Sequence, residues 1–221
     1  MLKAFLCASV LALGVAAARA AELSGHVAVV GRNHPGAETV VYAQPLDGKV
    51  PERPKRATMA QQNKTFIPHI VVVQVESTID FPNQDDIFHN IFSDSRAHPF
   101  DLGLYRSGAS RSVIFREPGT YRVFCNIHPQ MTGVLLVLRT PYFVETDSGG
   151  NYRMELPPGQ YRVTAWSEHS QPTTSEVDLA GSATLNLTLD ESKFVELPHK
   201  NKYGQDYAKG SYDPLRSDRP Q

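Results

Sequence analysis

Val123-Phe124-Cys125-Asn126-Ile127-His128-Pro129-Gln130-Met131-Thr132-Gly133-Val134 sets a thiol, an imidazole and a thioether within seven residues. The spacing is Cys-x2-His-x2-Met. A β-type run, Arg122-Val-Phe-Cys125, leads into it, and a second, Gly133-Val-Leu-Leu-Val-Leu138, leaves it. The sequence therefore predicts a tight connection between two strands with three donor side chains on it. Thiolate and thioether are soft ligands, and imidazole suits copper well. Two histidines and a cysteine in a plane, with a weak axial methionine, make an electron-transfer copper site. The loop supplies three of the four, so a histidine from a separate strand is needed.

His89 is the best candidate. It follows Pro82-Asn-Gln-Asp-Asp86, a turn signal, and opens the apolar run His89-Asn-Ile-Phe92. The Asn90 side chain is placed to tie that strand to the loop near Asn126, a restraint on ligand geometry. Other readings stand beside these. Cys125 alone could be an inert buried thiol and Met131 core filler. His69, after Pro68, reads as a strand-start residue. His98 lies in a loop that could bring it to the site. His26, His34, His169 and His199 read as surface or loop residues. Arg106, Arg111, Arg116 and Arg122 read as a solvated strand face, or as a docking face for an acidic partner.

The cysteine count sharpens the problem. Met1-Leu-Lys3, the apolar run Ala4 to Ala18 and the small-x-small site Ala18-Arg-Ala20 form a secretory signal over residues 1–20, with export to the periplasm expected. The run is too short to span a bilayer, and no later stretch is long and apolar enough to do so. Cys7 leaves with the signal, so Cys125 remains alone and no internal disulfide can form. A lone thiol in an oxidising compartment needs burial, a partner chain or a bound group. Loss of Lys3 and Arg19 leaves 20 basic against 23 acidic residues, a net charge of about −3. That balance has no concentrated basic face for nucleic acid.

The rest of the chain is patterned as β throughout, with short alternating or β-branched runs punctuated by its 16 prolines and 15 glycines. The expected fold is all-β. The segment from about Phe66 to Leu138 resembles the small blue copper proteins of the plastocyanin, amicyanin and pseudoazurin group. The matching parts are Val75 to Phe81, Pro82-Asn83, His89-Asn90, Pro118-Gly-Thr-Tyr-Arg-Val-Phe-Cys125 and the ligand loop. The loop is similar to the short amicyanin type, and more so to the cupredoxins labelled methylamine-utilisation-like. The resemblance implies a Greek-key sandwich holding one type 1 copper through His89, Cys125, His128 and Met131. It departs from the group in Ser93 to Ser112, which suggests a distinctive loop at the sandwich edge.

Thr146-Asp-Ser-Gly-Gly150-Asn-Tyr-Arg-Met-Glu-Leu156-Pro-Pro-Gly-Gln-Tyr-Arg-Val-Thr-Ala-Trp166 is similar to prealbumin-like sandwich modules of the carboxypeptidase-regulatory and Cna-B type. Tyr142 to Thr146 and Asn151 to Leu156 read as a hairpin about Asp147-Ser-Gly-Gly150. Such modules open with two strands similar to Leu23–Val30 and Pro35–Tyr42, which here precede the copper segment. The expected organisation is a sandwich of 22–46 and 140–190, a linker at 47–57, and a copper domain at 58–139 that is either inserted or sequential. The polar tail, 191–221, is expected to be disordered or draped on the surface.

Three functions follow from these expectations. The first is one-electron transfer with a weak, transient redox partner. The second is a copper carrier or buffer. The third is a metal-free adhesion or scaffold role. An enzyme is not expected: His-x-His pairs, a second cysteine in the loop, G-x-S-x-G and H-E-x-x-H are all missing from the sequence.

Overall fold

The computed structural model describes residues 20–31, 38–95, 99–195 and 198–207. Residues 1–19 of the expected signal, His34, His98 and residues 208–221 of the expected tail lie outside the described residues. Among the described residues, eighteen strands run in chain order. Two come first, β1 (Ala21–Val30) and β2 (Thr39–Pro45). A middle run follows: β3 (Arg56–Thr58), β4 (Ala60–Gln62), β5 (Thr65–Ile67), β6 (Ile70–Gln74), β7 (Ser77–Pro82), β8 (His89–Ser93), β9 (Phe100–Tyr105), β10 (Ser110–Phe115), β11 (Gly119–Phe124) and β12 (Thr132–Leu138). The last are β13 (Phe143–Glu145), β14 (Asn151–Leu156), β15 (Gly159–Ser167), β16 (Thr173–Leu179), β17 (Ala183–Thr184) and β18 (Leu187–Asp190). The protein is all-β, as the patterning requires.

The middle strands make one sandwich. A five-stranded sheet in the order β6-β12-β11-β8-β9 faces a three-stranded sheet, β10-β7-β3. Ile79, Phe81, Ile91, Tyr121, Val123 and Leu135 fill the space between them, all essentially without solvent contact. The outer strands make a second sandwich. β14, β17 and β18 pair with β1, and β13-β2-β15-β16 forms the facing sheet. Leu23, Val41, Val163, Leu179 and Leu189 are buried between them. The first two strands thus pair with strands more than a hundred residues later, Leu23 opposite Met154 and Val41 opposite Ala165.

A third cluster joins the two bodies. Val40 and Trp166 from one sandwich pack with Ile70, Val134, Leu136 and Leu138 from the other. This explains the runs Ile70-Val-Val-Val and Val134-Leu-Leu-Val-Leu, which do not alternate. A strand buried on both faces reads as continuously apolar. β14, with one face in solvent, alternates cleanly over Asn151–Leu156. Near this junction His69 donates to the Thr132 carbonyl (3.2 Å) and pairs with Glu168 (2.6 Å). The carboxylate beside His69 raises its pKa above the ordinary value, against burial.

One sequence expectation changes. Tyr142–Thr146 and Asn151–Leu156 do not form a hairpin. The turn closes through Asp147 N–H to Asn151 O and Gly150 N–H to Asp147 O, both 2.9 Å. The strands then part: β13 pairs with β2 and β14 with β1, in opposite sheets. Those partners bury the apolar faces of both strands, which pairing with each other would not do. Within Ser93 to Ser112 the described residues form β9, at the edge of the five-stranded sheet, and the start of β10.

The same four-residue corner appears in both sandwiches. Pro118-Gly-Thr-Tyr121 and Pro158-Gly-Gln-Tyr161 each return a tyrosine hydroxyl to the carbonyl four residues earlier, Glu117 at 2.8 Å and Pro157 at 2.7 Å. The first corner sets the start of β11, the strand that delivers Cys125.

Candidate metal centre

His89 is the first residue of β8, and Cys125 directly follows the last residue of β11. The two strands are neighbours, with Phe92 opposite Phe124. This pairing brings the upstream histidine beside the loop. The loop closes on itself through Cys125 N–H to Met131 O (3.3 Å) and Met131 N–H to His128 O (2.9 Å). Gly133 lets it settle: a Cβ there would stand 3.2 Å from the His69 carbonyl, the Phe66 side chain and the Val123 side chain.

The structure brings three of the four expected residues to one point. Cys125 Sγ lies 3.8 Å from His89 Nδ1 and 3.6 Å from His128 Nδ1, and the two Nδ1 atoms are 3.1 Å apart. Among the described residues this is the one cluster of at least three such donors. Met131, the fourth, is fully buried in the same core as Cys125 and tied to His128 through the backbone. His89 and Cys125 are fully buried, whereas His128 is half-buried. In the chain, Ile127 precedes His128 and Ile87-Phe88 precedes His89, and these three apolar side chains are 44%, 38% and 54% exposed.

Neighbouring groups set the proton positions. His89 Nε2 donates to Asp85 Oδ2 at 2.8 Å. The bond fixes the tautomer, leaving the Nδ1 lone pair aimed into the cluster. Burial pushes the Asp85 pKa up, but N–H donors from Lys64, His89 and Asn63 outweigh it and hold the carboxyl below its ordinary value. His128 is lowered to about 4, chiefly by burial and then by His89 and Lys64. Its ring is therefore neutral at pH 7. Burial raises the Cys125 thiol against backbone N–H groups of Asn90, Ile127 and His128.

Asn90 does join strand to loop: its Oδ1 accepts from Asn126 N–H at 3.3 Å. Its Nδ2 donates to Asp101 Oδ1 at 2.7 Å, and Asp101 accepts from Lys202 Nζ at 2.7 Å. His69 is apart from the cluster, in the junction described above. The four arginines of the sequence reading are all exposed.

Two site neighbours, Asp85 and His199, are not marked as such by the local sequence. The local pattern reads Asp85 as a turn residue, although a carboxylate four positions before a candidate ligand histidine is a usable signal. His199, taken as a surface residue, stacks on Phe124 with ring centroids 4.1 Å apart. Nothing in the local pattern of the tail announces that contact.

No family model and no curated protein matches the chain. Among solved structures, a purple cupredoxin from Nitrosopumilus maritimus is 25% identical, with a TM-score of 0.34 over 37% of this chain and 98% of that one. A copper-containing nitrite reductase from Thermus scotoductus is 26% identical, with a TM-score of 0.36 over 42% of this chain and 25% of that one. A reduced amicyanin variant is 22% identical, with a TM-score of 0.35 over 36% of this chain and 79% of that one.

Proposed function

We propose that this chain is a type 1 copper protein of the cupredoxin class that passes single electrons between redox partners. His89, Cys125, His128 and Met131 would hold the copper. The observation that carries the reading is the donor triangle. Sides of 3.8, 3.6 and 3.1 Å enclose a point about 2.0 Å from all three atoms, close to the ~2.0–2.3 Å bonds that imidazole and thiolate make to a first-row ion. The donor set of two imidazoles, a thiolate and a thioether also suits copper rather than a hard cation.

Bound copper would supply a Cu(I)/Cu(II) couple. The chain's own part is to keep the donors from moving. Asp85 locks the His89 ring, two backbone bonds close the Cys125–Met131 loop, and Asn90 fastens the loop to β8. Burial of His89, Cys125 and Met131 keeps water from three sides. Cys125 must give up its proton to bind, so uptake releases one proton per chain. The half-buried His128 is the edge through which electrons would cross, in small and short-lived contacts.

The same reading takes residues 1–20 as a cleaved signal, the periplasm as the working compartment, and the middle sandwich as a domain inserted between β2 and β13. The test is to mix reduced and oxidised copper-loaded protein and measure electron self-exchange beside Cu(I) transfer to a chelator. Electron exchange much faster than copper transfer supports the proposal. The reverse order supports the copper-carrier reading instead.

A further inference from the structure

The polar C-terminal segment has an organised shape. Asn201 Oδ1 accepts from Tyr203 N–H (2.9 Å) and Gln205 N–H (3.0 Å), and Asn201 N–H donates to Gln205 O at 2.9 Å. Gly204, at φ 73°, bonds back to Asn201 O. This pinched loop returns Tyr207 to His199, whose rings meet edge to face at 5.2 Å.

The outward bonds of this segment converge on the donor loop and its supports. Tyr207 Oη donates to the Cys125 carbonyl at 3.0 Å. His199 Nε2 donates to the Pro129 carbonyl at 2.7 Å while its ring stacks on Phe124. Lys202 N–H donates to Asn126 Oδ1 at 3.0 Å, and Lys202 Nζ pairs with Asp101, which holds Asn90. The donor loop closes on itself with two backbone bonds and receives three more from the tail. Two partly buried aromatic side chains of this segment, His199 and Tyr207, thus bear on this loop and on the strand that leads into it.

We infer that His199 and Tyr207 are positioning residues: the C-terminal segment is a clamp that holds the Cys125–Met131 loop in its donor geometry. The clamp itself rests on contacts seen here, and its role toward copper rests on the function proposed above. Without it the loop keeps its two internal bonds and the Asn90 tie, and its backbone opens more often.

The test uses the full chain, as parent, as the double variant His199→Ala with Tyr207→Phe, and as Lys200→Ala, which loses only the bond to Asp206 on the same tail. In apo protein, amide hydrogen exchange at Cys125, Asn126 and Met131 should speed by about tenfold or more in the double variant, since two hydrogen bonds and a ring stack are lost. The Val27 amide, in the other sandwich, should not change. In copper-loaded protein, Cu(I) transfer to bathocuproine disulfonate should speed by a similar factor, with a shift in the visible absorption. Lys200→Ala should match the parent throughout. Apo exchange within twofold of the parent overturns the clamp. A loosened apo loop with unchanged copper transfer and spectrum overturns the positioning role. A parent that takes up no copper defeats the proposed function instead, and the metal-free exchange still decides the clamp.

Discussion

Replacing Asp85 with alanine isolates the group that orients His89. The carboxylate accepts from His89 Nε2 (2.8 Å), Lys64 N–H (2.8 Å) and Asn63 N–H (2.5 Å). Asn63 and Lys64 sit at φ 55° and 53°, the left-handed turn of the β4–β5 hairpin, so Asp85 also pins that turn to the site. The turn N–H groups reach water in the variant. His89, without solvent contact, does not, and its Nε2–H is left unpaired at a cost of about 1–3 kcal/mol. For a chain this long that lowers Tm by about 2–4 °C per kcal/mol. Loss of such a ligand-orienting carboxylate also lowers metal affinity about 10–100-fold. Asp85→Asn, which keeps one carbonyl acceptor, should lose less of both. The assays are thermal melting of the apo proteins and competition for Cu(I) against a chelator. An Asp85→Ala protein that melts like the parent and holds copper within twofold of it would refute the argument.

Met131→Leu keeps the buried volume and should cost under about 1.5 kcal/mol in stability. It should shift the reduction potential, because an axial thioether tunes it; an unchanged potential in a redox titration would make Met131 core filler. The His69–Glu168 pair has a sign that pH can expose. The raised His69 contributes stability that is full below 6.5 and lost as pH rises through its folded value, while the lowered Glu168 contributes above 4.5 and fades as pH falls. His69→Gln should therefore destabilise more at about pH 5.5 than at about pH 8.5 in urea unfolding; the opposite ordering would contradict the assignment. Leu135→Ala, fully buried, should lose about 2–5 kcal/mol, whereas Val30→Ala, 53% exposed, should stay within about 0.5 kcal/mol by the same measurement.

Much of this was legible in the residues, and the failures have physical causes. The Cys-x2-His-x2-Met loop announces itself because its donors are local, and His89 because a turn precedes it and apolar residues follow. The runs Ile70–Val73 and Val134–Leu138 are plain in the sequence, but their burial on both faces depends on the second sandwich, which strand patterning does not place. The Asp147–Gly150 turn was read correctly as a turn. Which sheet each flanking strand joins is decided by β1 and β2, far away in the chain, so local alternation misleads there. The anchoring of residues 198–207, within the expected tail, is hidden from the sequence for a related reason. Composition reported few aliphatic residues, and its anchoring uses a histidine ring, a tyrosine hydroxyl and backbone groups meeting a distant loop.

The most direct test of the copper assignment is a titration of the apo protein with Cu(II), followed in the visible region. An intense thiolate-to-copper absorption should grow to one copper per chain, and Cys125→Ser should abolish it. A protein that stays colourless, or binds copper without that absorption, would contradict the assignment.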